Sequence, residues 1–357
     1  MALTLSEIGK LRLHNQQLAD PEFKTPKDLV SWMGAMQAQD YSMARWAIGT
    51  RLPGTHREEI QKAMDDGDII RTHVLRPTWH LIAAKDSKWM LELTAPHIKA
   101  SLKSRHKELE LTPGIIQKSY KILEKALRGG KSLTRDELAS RLEKGKIMIR
   151  DQRVSHIFLL AELEGIICSG PLREVKNTYS LLAERVSAPL HLSREEALGT
   201  LITKYFESHG PATLQDFTWW SGLPVGDAKK ALEMVKHDFH SEKTGLQTHW
   251  FREVRSGGGG KQDAVNFLPA YDEFIISYKD RSACLEVNNQ ASTISSNGIF
   301  RPVILVNGKA IGIWKKTTLK NKPVIDAQFF APNYKPGSKN LRNLLEEGRA
   351  KAAAFFA

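Results

Sequence analysis

An α+β fold is predicted by three observations: a helix-start signature that occurs three times, strand-like runs after each group of helices, and an Asn-Gly hairpin near the C-terminus. The signatures are Thr25-Pro26-Lys27-Asp28-Leu29, Thr134-Arg135-Asp136-Glu137-Leu138 and Thr213-Leu214-Gln215-Asp216-Phe217. In each, a Thr is followed three residues later by an acid and then by an apolar residue. The hydroxyl accepts from the third helical N–H, while the acid reaches back to the cap and suits the positive end of the helix dipole. Helical segments precede the signatures at 5–18, 115–127 and 194–208, and a third helix follows each, so three helices recur three times.

Strand-like runs come next: 69–84 around Arg76-Pro77, then 165–168 and 178–182 around Gly170-Pro171, then 247–254. Three helices followed by a β-hairpin describe a winged helix-turn-helix. Three such domains in tandem are expected at 1–97, 98–190 and 191–264, followed by a β-rich region with a closing helix at 265–357. In that last region Val303-Ile304-Leu305-Val306 and Lys309 to Trp314 flank Asn307-Gly308. Both turn residues of such a hairpin take positive φ, which Asn and Gly tolerate best. The tail 338–353 reads as a basic helix, and Ser256 to Lys261, with its four glycines, as a flexible loop.

Within the first domain, 33–51 carries the strongest candidate site. Leu29, Val30, Trp32, Met33 and Met36 recur at helical spacing, and a second helical pattern begins near Tyr41. Between them lie Gln37-Ala38-Gln39. Side chains two apart diverge by about 200° on a helix but share a face in an extended segment. The pair is therefore expected at a break between helices, with Ala38 turned into the core and both amides on one concave, basic surface. The alternative is that both glutamines lie on a solvated helix face.

A chain of 357 residues accommodates two or three domains. With 41% apolar and 26% charged residues, wholesale disorder is excluded. No apolar run is long enough to span a bilayer, and the chain enters a polar helical pattern without a signal-peptide core. Cys168 and Cys284 are too few for a disulfide framework and lack metal-ligand spacing. A soluble, cytoplasmic protein is expected. Its 52 Lys and Arg against 40 Asp and Glu leave a net charge of +12, the footprint of a protein that meets phosphates, although many basic proteins bind no nucleic acid specifically.

Gly129-Gly130-Lys131-Ser132 ends like a phosphate loop but lacks the earlier glycine and follows a helix. Gly257 to Lys261 is followed by Gln262, so the magnesium-binding hydroxyl is missing. His237 and His240 have no third ligand at metal spacing. No metal and no cofactor are expected. Arg71, Arg76 and His80, beside Trp79, lie on the first wing, where basic side chains commonly meet phosphates; the alternative is an ordinary half-exposed hairpin. Tyr271-Asp272-Glu273 with Lys279-Asp280-Arg281 fits either DNA contact or buried Asp–Arg pairing at a domain junction.

Taken together, Gln37-Ala38-Gln39-Asp40, Arg76-Pro77-Thr78-Trp79-His80-Leu81, Tyr271-Asp272-Glu273 through Lys279-Asp280-Arg281, Val306-Asn307-Gly308-Lys309 and Gly312-Ile313-Trp314 resemble the AlkZ/YcaQ-type winged-helix DNA glycosylases. The matches stand in the family's order along nearly the whole chain; Pro77 departs from it, where a glycine is the family's choice. The resemblance implies removal of alkylated bases, N7-alkylguanines among them, from double-stranded DNA, and in some members the opening of alkylation cross-links. The family's catalytic motif of Gln, an aliphatic residue, then Gln or Asp falls on Gln37, Ala38 and Gln39. Candidate DNA-binding residues are Arg45, Arg71, Arg76, His80, Lys279 and Arg281.

The chemistry suits amides. A purine alkylated at N7 is cationic and leaves neutral, so what remains is to orient water and stabilise positive charge on the sugar. An amide carbonyl accepts from water while its NH2 donates elsewhere. No lysine nucleophile is required, so simple hydrolysis to an abasic site is expected. The rival reading is a non-catalytic winged-helix regulator, which would usually be a dimer. No heptad pattern is present, and a monomer is expected. With a charge of +12, affinity for undamaged duplex is expected to fall at least roughly tenfold between about 50 and 200 mM salt. Fluorescence anisotropy across that range checks this; a flat profile contradicts phosphate-driven binding.

Overall fold

The computed structural model describes residues 3–252, 263–320 and 322–357; Val254 and the glycine run of Ser256 to Lys261, with the second phosphate-loop candidate, lie outside them. All three Thr signatures cap helices. The Thr25 side chain accepts from Asp28 N–H ahead of Pro26–Met33. Thr134 forms a reciprocal capping box with Glu137 ahead of Arg135–Lys144, and Thr213 does the same with Asp216 ahead of Leu214–Ser221.

Along the chain a group of helix, strand, helix, helix and two strands appears repeatedly. One runs through Pro113–Leu127, Leu133–Thr134, Arg135–Lys144, Arg153–Leu163, Ile167–Ser169 and Thr178–Leu181. Its antiparallel sheet places Thr178–Leu181 between the other two strands. Another runs through Arg194–His209, a bridge of Ala212 to Trp250, Leu214–Ser221, Val225–Val235 and the hairpin His240–Thr244 with Gln247–Phe251. The first group is Pro26–Met33, Ala35–Gln37, Tyr41–Gly49, Arg57–Asp65, Ile69–His73 and Trp79–Ala83. Its counterpart of Thr134 and Thr213 is therefore Asp40, which caps Tyr41–Gly49, whereas Thr25 begins the preceding helix. The helix Leu5–Asn15 stands before this group.

The chain packs as two compact units that cut across the order of elements: 1–61 with 198–220 and 224–357, and 62–197 with 221–223. In the second, Leu123, Leu127, Leu138, Leu142, Ile157, Phe158 and Ile167 form one apolar core. In the first, a four-stranded antiparallel sheet runs in the order Lys322–Phe329, Lys309–Leu319, Val303–Val306, Val265–Leu268. The predicted turn is present, with φ of 50° at Asn307 and 82° at Gly308. A Cβ on Gly308 would lie 2.8 Å from the Gly9 backbone, so glycine serves both the turn and its close approach to the first helix. The strand from Lys309 runs beyond the expected Trp314 to Leu319, held by antiparallel pairing with Lys322–Phe329; its lysine- and threonine-rich outer half has no apolar alternation to announce it. The closing helix Lys339–Phe355 is capped by Ser338, and its Arg349 Nε donates to the Ile325 carbonyl at 2.7 Å.

No described helix is long and apolar enough to cross a membrane. Cys168 and Cys284 are free and buried, and burial pushes their thiols up to about 12 and about 11. The break ahead of the glutamine pair has a local cause. Gly34, at φ 75°, ends Pro26–Met33 in a conformation that a Cβ disfavours. Gly34→Ala is expected to lose about 1–3 kcal/mol of stability. Gly114→Ala, in a helix with nothing near the added methyl, is expected to gain about 0.4–1 kcal/mol. Urea unfolding of both variants checks the contrast.

Candidate active site

Beyond Gly34 the chain runs extended through Ala35–Gln37, bends at Gln39 and Asp40, and re-enters helix at Tyr41. Gln37 and Gln39 are thus outside any continuous helix, and Ala38 between them is fully buried. The two amides are not equivalent, since Gln37 is only 6% exposed while Gln39 is exposed. Gln37 Oε1 accepts from the Ala38 N–H at 2.9 Å. A backbone N–H can only donate, so this contact fixes the amide's orientation and leaves the NH2 as the group Gln37 can present. Asp40 Oδ1 accepts from Met43 N–H at 2.9 Å, which anchors the far end of the link.

The near end is held from a distant part of the chain. Gln37 N–H donates to Glu273 Oε1 at 2.5 Å across 236 residues. The other carboxylate oxygen accepts from Trp220 Nε1 at 3.1 Å and from Ser277 Oγ, and His209 Nε2 lies 3.6 Å away. Glu273 opens the turn Glu273–Ile276, whose cap Asp272 accepts from Phe274 N–H at 2.9 Å. Asp272 is in turn bound at both oxygens by Arg51, each at 2.8 Å. Arg51 also donates to the Gln16 carbonyl, the Gln16 side chain and the Ala47 carbonyl, so its fork is saturated inside the core. The buried Asp–Arg pair at this motif is real, but its arginine is Arg51. Arg281 instead places its guanidinium 5.4 Å from the Trp219 ring centroid and 5.2 Å from that of Phe300.

The candidate DNA-binding residues separate into groups. Exposed Lys279 puts Nζ 4.8 Å from the Trp219 ring, so it shares one aromatic platform with Arg281. Arg45 stands on the helix after the glutamine pair, 5.0 Å from the Tyr41 ring and 3.1 Å from Gln61 Oε1. Arg71 stacks 4.3 Å from Trp79, and Arg76 is half-buried in the bend between the two strands. His80 is fully buried opposite Thr72, with Nδ1 3.0 Å from the Thr78 carbonyl. Its side chain is not on the surface of the hairpin in this conformation, because the pairing register turns that position inward. Sequence reasoning missed the support around the pair: Glu273, Trp220, Arg51 and Gln16. The only local trace was Asp40, a helix cap that the spacing before Tyr41 could have revealed.

The sequence pattern of the DNA glycosylase AlkZ-like family matches residues 30–355. This chain belongs to that family. It is therefore an enzyme of N-glycosidic bond hydrolysis, as the resemblance implied. An interstrand DNA cross-link repair glycosylase of Streptomyces sahachiroi is 24% identical over 331 residues, which cover 88% of each chain. The structure of Streptomyces sahachiroi DNA glycosylase AlkZ has the same fold, with a TM-score of 0.83 at 20% identity over 99% of this chain and 98% of that one.

Acid should weaken this glycosylase's fold. Burial, the main cause, holds His209 below its ordinary 6.5, with the Glu273 carboxylate pulling the other way. His106, His156 and His249 are also held low, chiefly by burial. The unfolded chain therefore takes up protons near pH 6.5 that the folded chain refuses. Stability from these groups is full above that pH and declines below it. Urea midpoints at pH 7.5 and 5.5 are expected to differ, with the lower value at 5.5, and His209→Gln should narrow the difference.

Proposed function

We propose that this glycosylase hydrolyses the N-glycosidic bond of cationic N-alkylpurines of the N7-alkylguanine type in double-stranded DNA, with Gln37 and Gln39 as its catalytic pair. The observation that carries the reading is the construction of the Gln37-Ala38-Gln39 link. It is held extended between a capped helix and a buried carboxylate, with one amide fixed and the other open to solvent. Gln39 is the acceptor for the attacking water. Gln37, whose oxygen is committed to Ala38, donates through its NH2 to the water or to a sugar oxygen. Neither amide is a strong base, which suits a leaving group that departs neutral.

The recurring order of helix, strand, helix, helix and two strands supports three winged helices on one chain. Arg45, Arg71, Arg76, Lys279 and Arg281 are proposed to meet the phosphate backbone, a role consistent with the net charge of +12. The cross-link repair activity named for the Streptomyces sahachiroi relative makes interstrand cross-links at N7 a second substrate class to test. The enzyme is proposed to act as a cytoplasmic monomer without a cofactor.

Removal of one positioned polar contact in such a site typically costs about 2–4 kcal/mol of barrier, or roughly 30- to 1000-fold in rate. Gln37→Ala and Gln39→Ala are each expected to slow single-turnover release of 7-methylguanine by that order while still binding an abasic-site analogue. Gln39→Asp should retain partial activity, since a carboxylate also accepts from water and favours positive charge on the sugar. Full activity in both alanine variants would remove the pair from the mechanism.

A further inference from the structure

We propose that Glu273 is the positioning residue of this active site, setting the main chain at Gln37 and thereby the direction of its amide. The proposal rests on the reading of Gln37 and Gln39 as the catalytic pair. Its basis is the division of labour between the two oxygens of one carboxylate. Oε2 is tied to the scaffold by Trp220 Nε1 at 3.1 Å and by Ser277 Oγ. Oε1 reaches the backbone N–H of Gln37 at 2.5 Å. The anchoring tryptophan is itself fully buried and packs against Tyr205, His209 and Phe217.

A buried carboxylate is a costly acceptor, and a carbonyl could serve the Gln37 N–H alone; here one side chain accepts from Gln37, Trp220 and Ser277 together. What the charge adds is strength and direction, since hydrogen bonds to an ionised acceptor are about twice as strong as neutral ones. That matters at Gln37 because its side chain depends on its main chain. Oε1 of Gln37 accepts from the very next N–H, that of Ala38, so a rotation of the Gln37–Ala38 peptide redirects the amide. The carboxylate fixes the N–H on one side of Gln37, and the residue's own amide fixes the N–H on the other. Glu273 is itself set by its neighbour Asp272, which Arg51 grips with two bonds of 2.8 Å. Glu273 acts through Gln37 and has no claim on the substrate.

The test is a double-mutant cycle on single-turnover release of 7-methylguanine from methylated duplex, with affinity for an abasic-site analogue and thermal unfolding measured in parallel. Glu273→Gln keeps the shape but leaves a single, neutral acceptor oxygen, so its NH2 must oppose either the Gln37 N–H or the Trp220 and Ser277 donors. It is expected to slow base release roughly 10- to 100-fold with analogue affinity within about twofold of wild type. Because its effect passes through Gln37, Glu273→Gln in the Gln37→Ala background is expected to slow release by no more than about twofold further. A merely structural role would multiply the two losses and weaken DNA binding as well. Should Glu273→Gln fail to fold, Trp220→Phe, which removes one donor from Oε2, carries the same cycle, with roughly 3- to 10-fold slowing that vanishes without Gln37. Losses that multiply, or wild-type rates in the folded variant, overturn the positioning role. If Gln37→Ala alone keeps full activity, the catalytic reading fails instead, and the two failures are distinguishable.

Discussion

The side chains of Arg51 and Asp272 are both completely buried and lie 221 residues apart in sequence, yet they meet through two charge-assisted bonds of 2.8 Å. Removing two charges from water costs several kcal/mol per ion, and the attraction repays this only when the remaining donors and lone pairs are filled. Here they are. Arg51 gives its other bonds to Gln16 and Ala47, and Asp272 accepts from Phe274 as a helix cap. The pair joins the end of the helix Tyr41–Gly49 to the cap of the turn Glu273–Ile276, just after Tyr271, where φ is 59°. A left-handed tyrosine persists only where its surroundings over-determine it. The next residue after Asp272 is Glu273, so the geometry that this ion pair fixes is passed directly to the glutamine link.

The other end of the link is fixed by packing. Trp46, on the helix that Asp40 caps, donates from Nε1 to the Phe267 carbonyl at 2.7 Å and packs against Phe355 and Phe356 of the C-terminal segment. A Cβ on Gly49 would fall 2.7 Å from the Phe355 ring, which explains why glycine occupies that helical position despite its cost. Gln39 is thus an exposed side chain on a short segment whose two ends are tied to rigid elements. For a reaction proposed to need oriented water rather than a strong base, that is the useful arrangement: access at one residue and immobility on either side.

Much of the fold was legible because its signals are local. The Thr caps at 25, 134 and 213, the Asn-Gly turn at 307–308 and the serine that starts the closing helix each act within about four residues, the range over which spacing carries information. The break at the glutamine pair was legible for the same reason, through the mismatch between a two-residue spacing and the helical period. The strand continuing to Leu319 was not, because a half-solvated lysine-rich strand shows no apolar alternation. The inward turn of His80 was also hidden, since pairing register decides it.

By itself, then, the sequence determined which segments become helix or hairpin, where the chain leaves helix at Gln37, and, through motifs in a fixed order, the family. Tertiary structure alone decided that Gln37 is buried and Gln39 exposed, that Arg51 rather than Arg281 pairs with Asp272, and that Glu273 holds the Gln37 backbone. The physical reason is distance along the chain. Caps and turns are satisfied by neighbours, whereas a buried charge must find its partners wherever the packed core brings them, here more than two hundred residues away.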